Sequence, residues 1–121
     1  MRGDERSFRV ALVADAYVNP SRGEMDALPA LIEQGWGVIQ LPADDYPNEV
    51  AIPLLEQVAE QAEEFHRHGY DLIVIGGHPG LDAALSAVGV PQLDEIVPTD
   101  ARELQRFLRE RPVPTATVPP D

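Results

Sequence analysis

Three short apolar runs, Phe8–Ala14, Val38–Leu41 and Tyr70–Ile75, recur along the chain, each followed by turn-forming residues and then a helical stretch. Near-continuous apolarity over so few residues marks strands covered on both faces, not strands with one wet side. Strands that alternate with helices through short connections require crossovers of one hand, and so a parallel sheet.

The helical stretches are well punctuated. The first runs from Met25 to Gln34, with Leu28, Leu31 and Ile32 on one face, Pro29 in its first turn and Gly35 as its stop. After the loop Ala43–Asn48, the second places Pro53 in its first turn and Leu54, Leu55, Val58, Ala59, Ala62 and Phe65 on one stripe. Glu56, Glu60, Glu63 and Glu64 look outward, while His66, Arg67 and His68 complement the dipole of the last turn before Gly69. Tyr70–Ile75 is the most apolar strand and is expected to be central. It runs into Gly76-Gly77-His78-Pro79-Gly80 and a short helix, Leu81–Val88, with Pro79 at its first position. A fourth strand near Glu95–Pro98 is weaker, because Pro98 has no amide hydrogen for a ladder bond. Asp100 and Glu103 then open the last helix, Ala101–Arg109, with Leu104, Phe107 and Leu108 inward.

These elements predict a three-layer flavodoxin-like (Rossmann-like) α/β domain over residues 1–110, with four parallel strands in the order 2-1-3-4. The segment 111–121 is proline-rich and reads as an extended or disordered tail, with a fifth strand in Val113–Val118 as the alternative. So small a sheet leaves edges that must be covered, which predicts a homodimer or a partner subunit. Trp36, between two glycines, is expected at the sheet edge or a subunit contact.

Composition excludes several chemistries. A chain of 121 residues falls in the range of one domain. The absence of cysteine removes disulfides, thiolate nucleophiles and thiolate metal sites. All nine basic residues are arginine, so lysine Schiff bases and a phosphate-loop lysine are excluded. Between Gly23 and Asp100, 15 acidic residues face the single Arg67, within a net charge of −12. Such a surface repels phosphate backbones, and no nucleic-acid partner is expected. It reads as a solvated, solubilising surface, with a dedicated basic partner as the other reading. No apolar run is long enough to span a bilayer, and no apolar leader precedes the first strand. The expected setting is cytoplasmic, with no membrane partner.

In open parallel sheets ligands sit beyond the carboxyl ends of the strands, where the strand order reverses. Here that point lies between the first and third strands. The candidate ligand-binding residues there are Asp15, Tyr17, Asn19, Gly76, Gly77, His78, Gly80 and Thr99, and the candidate catalytic residues are Asp15 and His78. The Gly-Gly-His-Pro-Gly turn either admits a ligand close to the backbone or is a tight strand-to-helix turn in which His78 caps the helix. Asp15 is either a functional carboxylate or an acceptor for the loop that follows it. Asp44-Asp45 reads as a turn, His66 and His68 as a solvated helix end, and no metal site is assigned. Arg2-Gly3-Asp4 is a chance match to an adhesion motif.

The strand–loop–helix rhythm resembles response-regulator receiver domains. Their phosphotransfer needs an aspartate ending the third strand and a lysine after the fifth. Here the third strand ends at Gly76 and there is no lysine, which excludes that reaction. The chain resembles more loosely the cobalamin-binding domains, which carry Asp-x-His-x-x-Gly after the first strand and a later Gly-Gly. The matching stretch is Asp15-Ala-Tyr17-Val-Asn19-Pro20, with Gly76-Gly77 later. Tyr17 stands for the ligating histidine and Pro20 for the glycine, so the resemblance extends to fold and not to histidine ligation. The expected function is a non-catalytic ligand-binding or regulatory subunit using this crevice, its cofactor unknown. The alternatives are a small enzyme using Asp15 or His78 on an anionic metabolite, and an accessory subunit that binds another protein.

Overall fold

A computed structural model of the chain describes residues 9–18, 25–43 and 45–111. The elements are β1 (Arg9–Val13), α1 (Leu28–Glu33), β2 (Gly37–Gln40), α2 (Asn48–Arg67), β3 (Asp71–Ile75), α3 (Leu81–Ala87), β4 (Asp94–Ile96) and α4 (Ala101–Glu110). A 3-10 turn at Asp15–Tyr17 follows β1. The strands form one parallel sheet in the order β2-β1-β3-β4, flanked by the four helices, and the fold is the expected three-layer flavodoxin-like one. Val13 lies beside Gln40 on one side and Ile75 on the other, and Ile75 lies beside Ile96. The carboxyl ends of all four strands therefore share one rim.

Side chains of a strand alternate between faces, and the sheet sorts its apolar residues accordingly. Val10, Leu12, Leu72 and Val74 pack against Leu55, Val58, Ala59 and Ala62 of α2 and Leu81 and Leu85 of α3. Ala11, Val13, Ile73 and Ile75 pack on the other face with Ala30 and Leu31 of α1 and Leu104 and Leu108 of α4. Both faces of β1 and β3 are thus dry, which is why these strands read as unbroken apolar runs. Among the described residues no helix is long and apolar enough to cross a membrane.

Several local expectations are corrected. α2 starts at Asn48, with Pro47 as its N-cap, so Pro53 lies inside the helix and not in its first turn. The amide that Pro53 lacks would have met the carbonyl of Glu49, an exposed residue that water can satisfy. Leu54 leaves the predicted stripe and is 36% exposed, because Ala51 and Leu55 take the inward positions. α1 starts at Leu28, and its Ile32 is exposed while Ala30 and Leu31 are buried. Pro79 precedes the N-cap Gly80 and is not the first residue of α3.

Trp36 directly precedes β2, an edge strand of the sheet. It is buried in the core, with the Arg9 guanidinium stacked 4.8 Å from the ring centroid. Arg111, the first residue of the predicted tail, is anchored. Its guanidinium grips both oxygens of Asp71 at 2.7 and 2.8 Å and reaches Asp94 at 2.7 Å. The Arg9 guanidinium donates to the Arg111 carbonyl at 3.0 Å. Two carboxylates hold the Arg111 charge above its ordinary pKa, the Asp71 bonds being the larger cause. The rest of the tail, with the alternative strand in Val113–Val118, lies outside the described residues.

Candidate functional site

Ladder bonds continue one residue past the strands. Leu41 donates to the carbonyl of Val13, Ala14 to that of Ile75 and Gly76 to that of Ile96, all between 2.8 and 2.9 Å. The loops after the strands therefore start level with one another, and the first residues of each loop lie close to those of its neighbours.

Asp15 opens the 3-10 turn, and its Oδ1 accepts a 2.8 Å hydrogen bond from Gln40 Nε2. This bond fastens the end of β1 to the end of β2. Tyr17 reaches the other way. Its hydroxyl donates to the carbonyl of Pro98 at 3.1 Å, and its ring lies directly against Gly76. A methyl group on Gly76 would come within 2.8 Å of both the Tyr17 ring and Ala14 Cβ. Tyr17 thus spans the reversal point, from β1 across β3 to the segment after β4.

The two glycines make room for different neighbours. Gly76 (φ +81) makes room for Tyr17, and Gly77 (φ +72) for Glu95, whose Oε2 would be 2.6 Å from an added Cβ. His78 turns toward the helix: its Nδ1 accepts a 3.1 Å hydrogen bond from the Gly80 amide. In the neutral ring that assignment leaves the hydrogen on Nε2. Nε2 is buried and meets no hydrogen-bond partner among the described residues. The His78 carbonyl accepts from the Leu81 amide, while the N-cap of α3 is Gly80, with no side-chain cap bond.

Gly80 belongs with the α2 layer. A Cβ there would touch Leu55 Cδ1 at 3.0 Å, and Gly80 lines an apolar cleft of about 560 Å³ between α2 and α3. Thr99 serves α4: its amide and hydroxyl both donate to Glu103 Oε1 at 2.9 Å. The Glu103 amide in turn donates to Asp100 Oδ1 at 2.8 Å. Bonds from Thr99, the backbone one first, hold the Glu103 carboxyl below its ordinary pKa. Asn19 and Asp44 lie outside the described residues.

The predicted set therefore divides. Asp15, Tyr17 and Gly76 form one connected group, His78 and Gly80 form a second against α2, and Thr99 is occupied by the start of α4. Sequence reasoning missed Gln40, Glu95 and the Pro98 carbonyl as parts of this rim. The signal for Gln40 was present in the strand order, which sets the end of β2 beside the end of β1. Among the described residues, no cluster of three or more histidine, aspartate and glutamate side chains is arranged to hold a metal ion. No protein-family model, no curated protein and no solved structure matches this chain.

Proposed function

We propose that this chain is a non-catalytic ligand-binding or regulatory subunit whose ligand contacts the rim at the carboxyl ends of β1 and β3. The observation that carries the reading is His78. Its ring is locked by Gly80, and its buried Nε2 has no hydrogen-bond partner among the described residues. A buried donor left without an acceptor costs roughly 1–3 kcal/mol, and an acceptor on a ligand removes that cost.

Binding is favoured over turnover by how the candidate acid–base groups are engaged. Asp15 holds Gln40, Tyr17 holds Pro98 and His78 Nδ1 holds Gly80. These bonds fix three side chains to three different places and do not converge on one reacting atom. The ligand class that fits is small and neutral or cationic, with a carbonyl or similar acceptor. The Glu95 carboxylate beside Gly77 repels an anion, and the enzyme reading on an anionic metabolite has correspondingly less support.

Native mass spectrometry of freshly purified protein tests this reading, together with thermal-shift screening of neutral and cationic metabolites. A bound adduct or thermal shift that disappears in a folded His78→Ala variant is the expected result. Ligand binding indifferent to His78→Ala refutes it, as does a panel in which nothing binds or in which turnover depends on His78.

A further inference from the structure

α2 and α3 each return the chain between parallel strands, and they lie side by side on one face of the sheet. The apolar cleft of about 560 Å³ between them is open to solvent. Its floor is the buried pair Leu55 and Ala59. On the α3 side the lining is small, with Ala83 and Ala87 both exposed, so another backbone can come close. On the α2 side it is Ile52, 49% exposed, then Glu56 and Glu60. These three are four residues apart in sequence and so form one row along the helix.

This layer has almost no positive charge of its own. α2 and α3 carry six carboxylates, five on the first and one on the second, against one arginine. That arginine, Arg67, is held by Glu63 at 3.1 and 3.2 Å. Glu56 and Glu60 make no ion pair among the described residues, and like charges one turn apart on a helix repel each other. The cleft therefore joins an apolar floor to a lip of two unanswered negative charges.

We propose that this cleft docks a basic amphipathic helix of another protein. The apolar side of that helix sits on Leu55, Ala59 and the α3 alanines, and two of its lysines or arginines pair with Glu56 and Glu60. Charge and spacing select the occupant. Side chains four apart on a helix repeat at about 5–6 Å, so a partner helix lying along α2 presents cations at the interval of the two carboxylates. A second copy of the chain does not supply this surface. Its arginine-bearing helix, α4, already buries Leu104 and Leu108 in its own core, and two chains of net charge −12 repel. The terminal segments of the chain do not supply it either. Residues 112–121 contain no base, and Arg2 and Arg6 are offset by Asp4 and Glu5. The inference does not rest on the ligand reading, because Asp15, Tyr17 and His78 take no part in it.

The test is selection of a displayed library of helical peptides on the full chain, followed by fluorescence anisotropy of the enriched peptides. The expected winners carry lysine or arginine four residues apart beside an apolar face. Glu56→Arg with Glu60→Arg is expected to raise their Kd by roughly tenfold or more. Ala87→Trp, which fills the cleft without changing the charge, is expected to do the same. Glu33→Arg with Glu110→Arg makes the same change in net charge on α1 and α4, in the opposite layer, and is expected to leave Kd within about twofold. All these positions are exposed on helices, and far-ultraviolet circular dichroism checks that each variant is folded. The proposal is overturned if no basic amphipathic peptide is enriched. It is also overturned if the control pair weakens binding as much as the cleft pair, which means that net charge alone attracts the peptide. Binding indifferent to Glu56→Arg with Glu60→Arg overturns it too, and this pair decides alone if Ala87→Trp does not fold.

Discussion

Replacing Gly76 by alanine tests whether Tyr17 is packed rigidly at the reversal point. Three glycines provide the comparison, because Gly69, Gly76 and Gly77 all hold positive φ, at +84, +81 and +72. Left-handed backbone costs an alanine roughly 1–2 kcal/mol. Against that, the lost freedom of the unfolded glycine returns about 0.4–1 kcal/mol. These two effects are common to all three positions, so the differences report what each new methyl group meets. At Gly69 it meets nothing within 4 Å, and Gly69→Ala is expected to cost about 1 kcal/mol. At Gly76 it meets the Tyr17 ring at 2.8 and 2.9 Å and Ala14 Cβ at 2.8 Å, on a backbone fixed by the ladder. Overpacking of that kind adds about 1–3 kcal/mol. At Gly77 the first atom met is Glu95 Oε2, at the far end of an exposed side chain that can swing away. Gly77→Ala should therefore stay within about 0.5 kcal/mol of Gly69→Ala. Urea unfolding at constant m measures all three. In a Tyr17→Ala background the excess cost of Gly76→Ala should shrink, because one of its two obstacles is gone. If Gly76→Ala costs no more than Gly69→Ala, Tyr17 is not packed as described and the rim is looser than the reasoning requires.

The remaining predictions concern the bonds that hold the sheet ends and α4. Arg111→Ala strips Asp71, whose side chain is 15% exposed, of its two short bonds and leaves it Arg9 at 3.8 Å. The loss should be about 1–3 kcal/mol in chemical unfolding. Arg67→Ala, which breaks only the exposed pair with Glu63, should scarcely register; equal effects from the two variants would refute the clamp. Tyr17→Phe removes the donor to Pro98 and should cost about 0.5–1.5 kcal/mol, with a raised hydrogen-exchange rate after β4. For Glu103 the folded carboxyl has a pKa below its ordinary 4.5, so its contribution to stability is complete above that value and is lost as pH falls through the folded one. Glu103→Gln should flatten the fall in stability between about pH 5 and 3, and an unchanged slope counts against the Thr99 bonds.

The fold was legible because its information is in the sequence pattern. Two central strands buried on both faces leave unbroken apolar runs at Val10–Val13 and Leu72–Ile75, and Gly35 and Gly69 stop the helices that lead into β2 and β3. What misled was local chemistry overruled by packing. Pro53 reads as a first-turn residue, yet Pro47 offered its carbonyl to Val50 and Ala51 and drew the helix start back to Asn48. Trp36 between glycines reads as a sheet-edge or subunit contact, and Arg9 supplies a cation over its ring while the core takes the indole. Arg111 reads as the start of a tail because Pro112 and Pro114 follow it. Its partners, Asp71 and Asp94, are distant in sequence and become adjacent only once β3 and β4 pair.

The rim was less legible for a reason that bears on what it does. Glycine beside histidine after a central strand reads equally well as ligand access or as a tight turn, and the sequence does not distinguish the two. Space does. Gly76 is small because Tyr17 lies on it, and Gly77 because Glu95 does, so neither glycine is needed to admit a ligand's backbone approach. That shifts the weight of the ligand hypothesis from the glycines to His78 Nε2, a buried side-chain atom of this turn that meets no hydrogen-bond partner among the described residues. It also changes the kind of molecule to look for. A turn that opened its amides would favour an anion, whereas a buried donor selects a ligand that carries a hydrogen-bond acceptor.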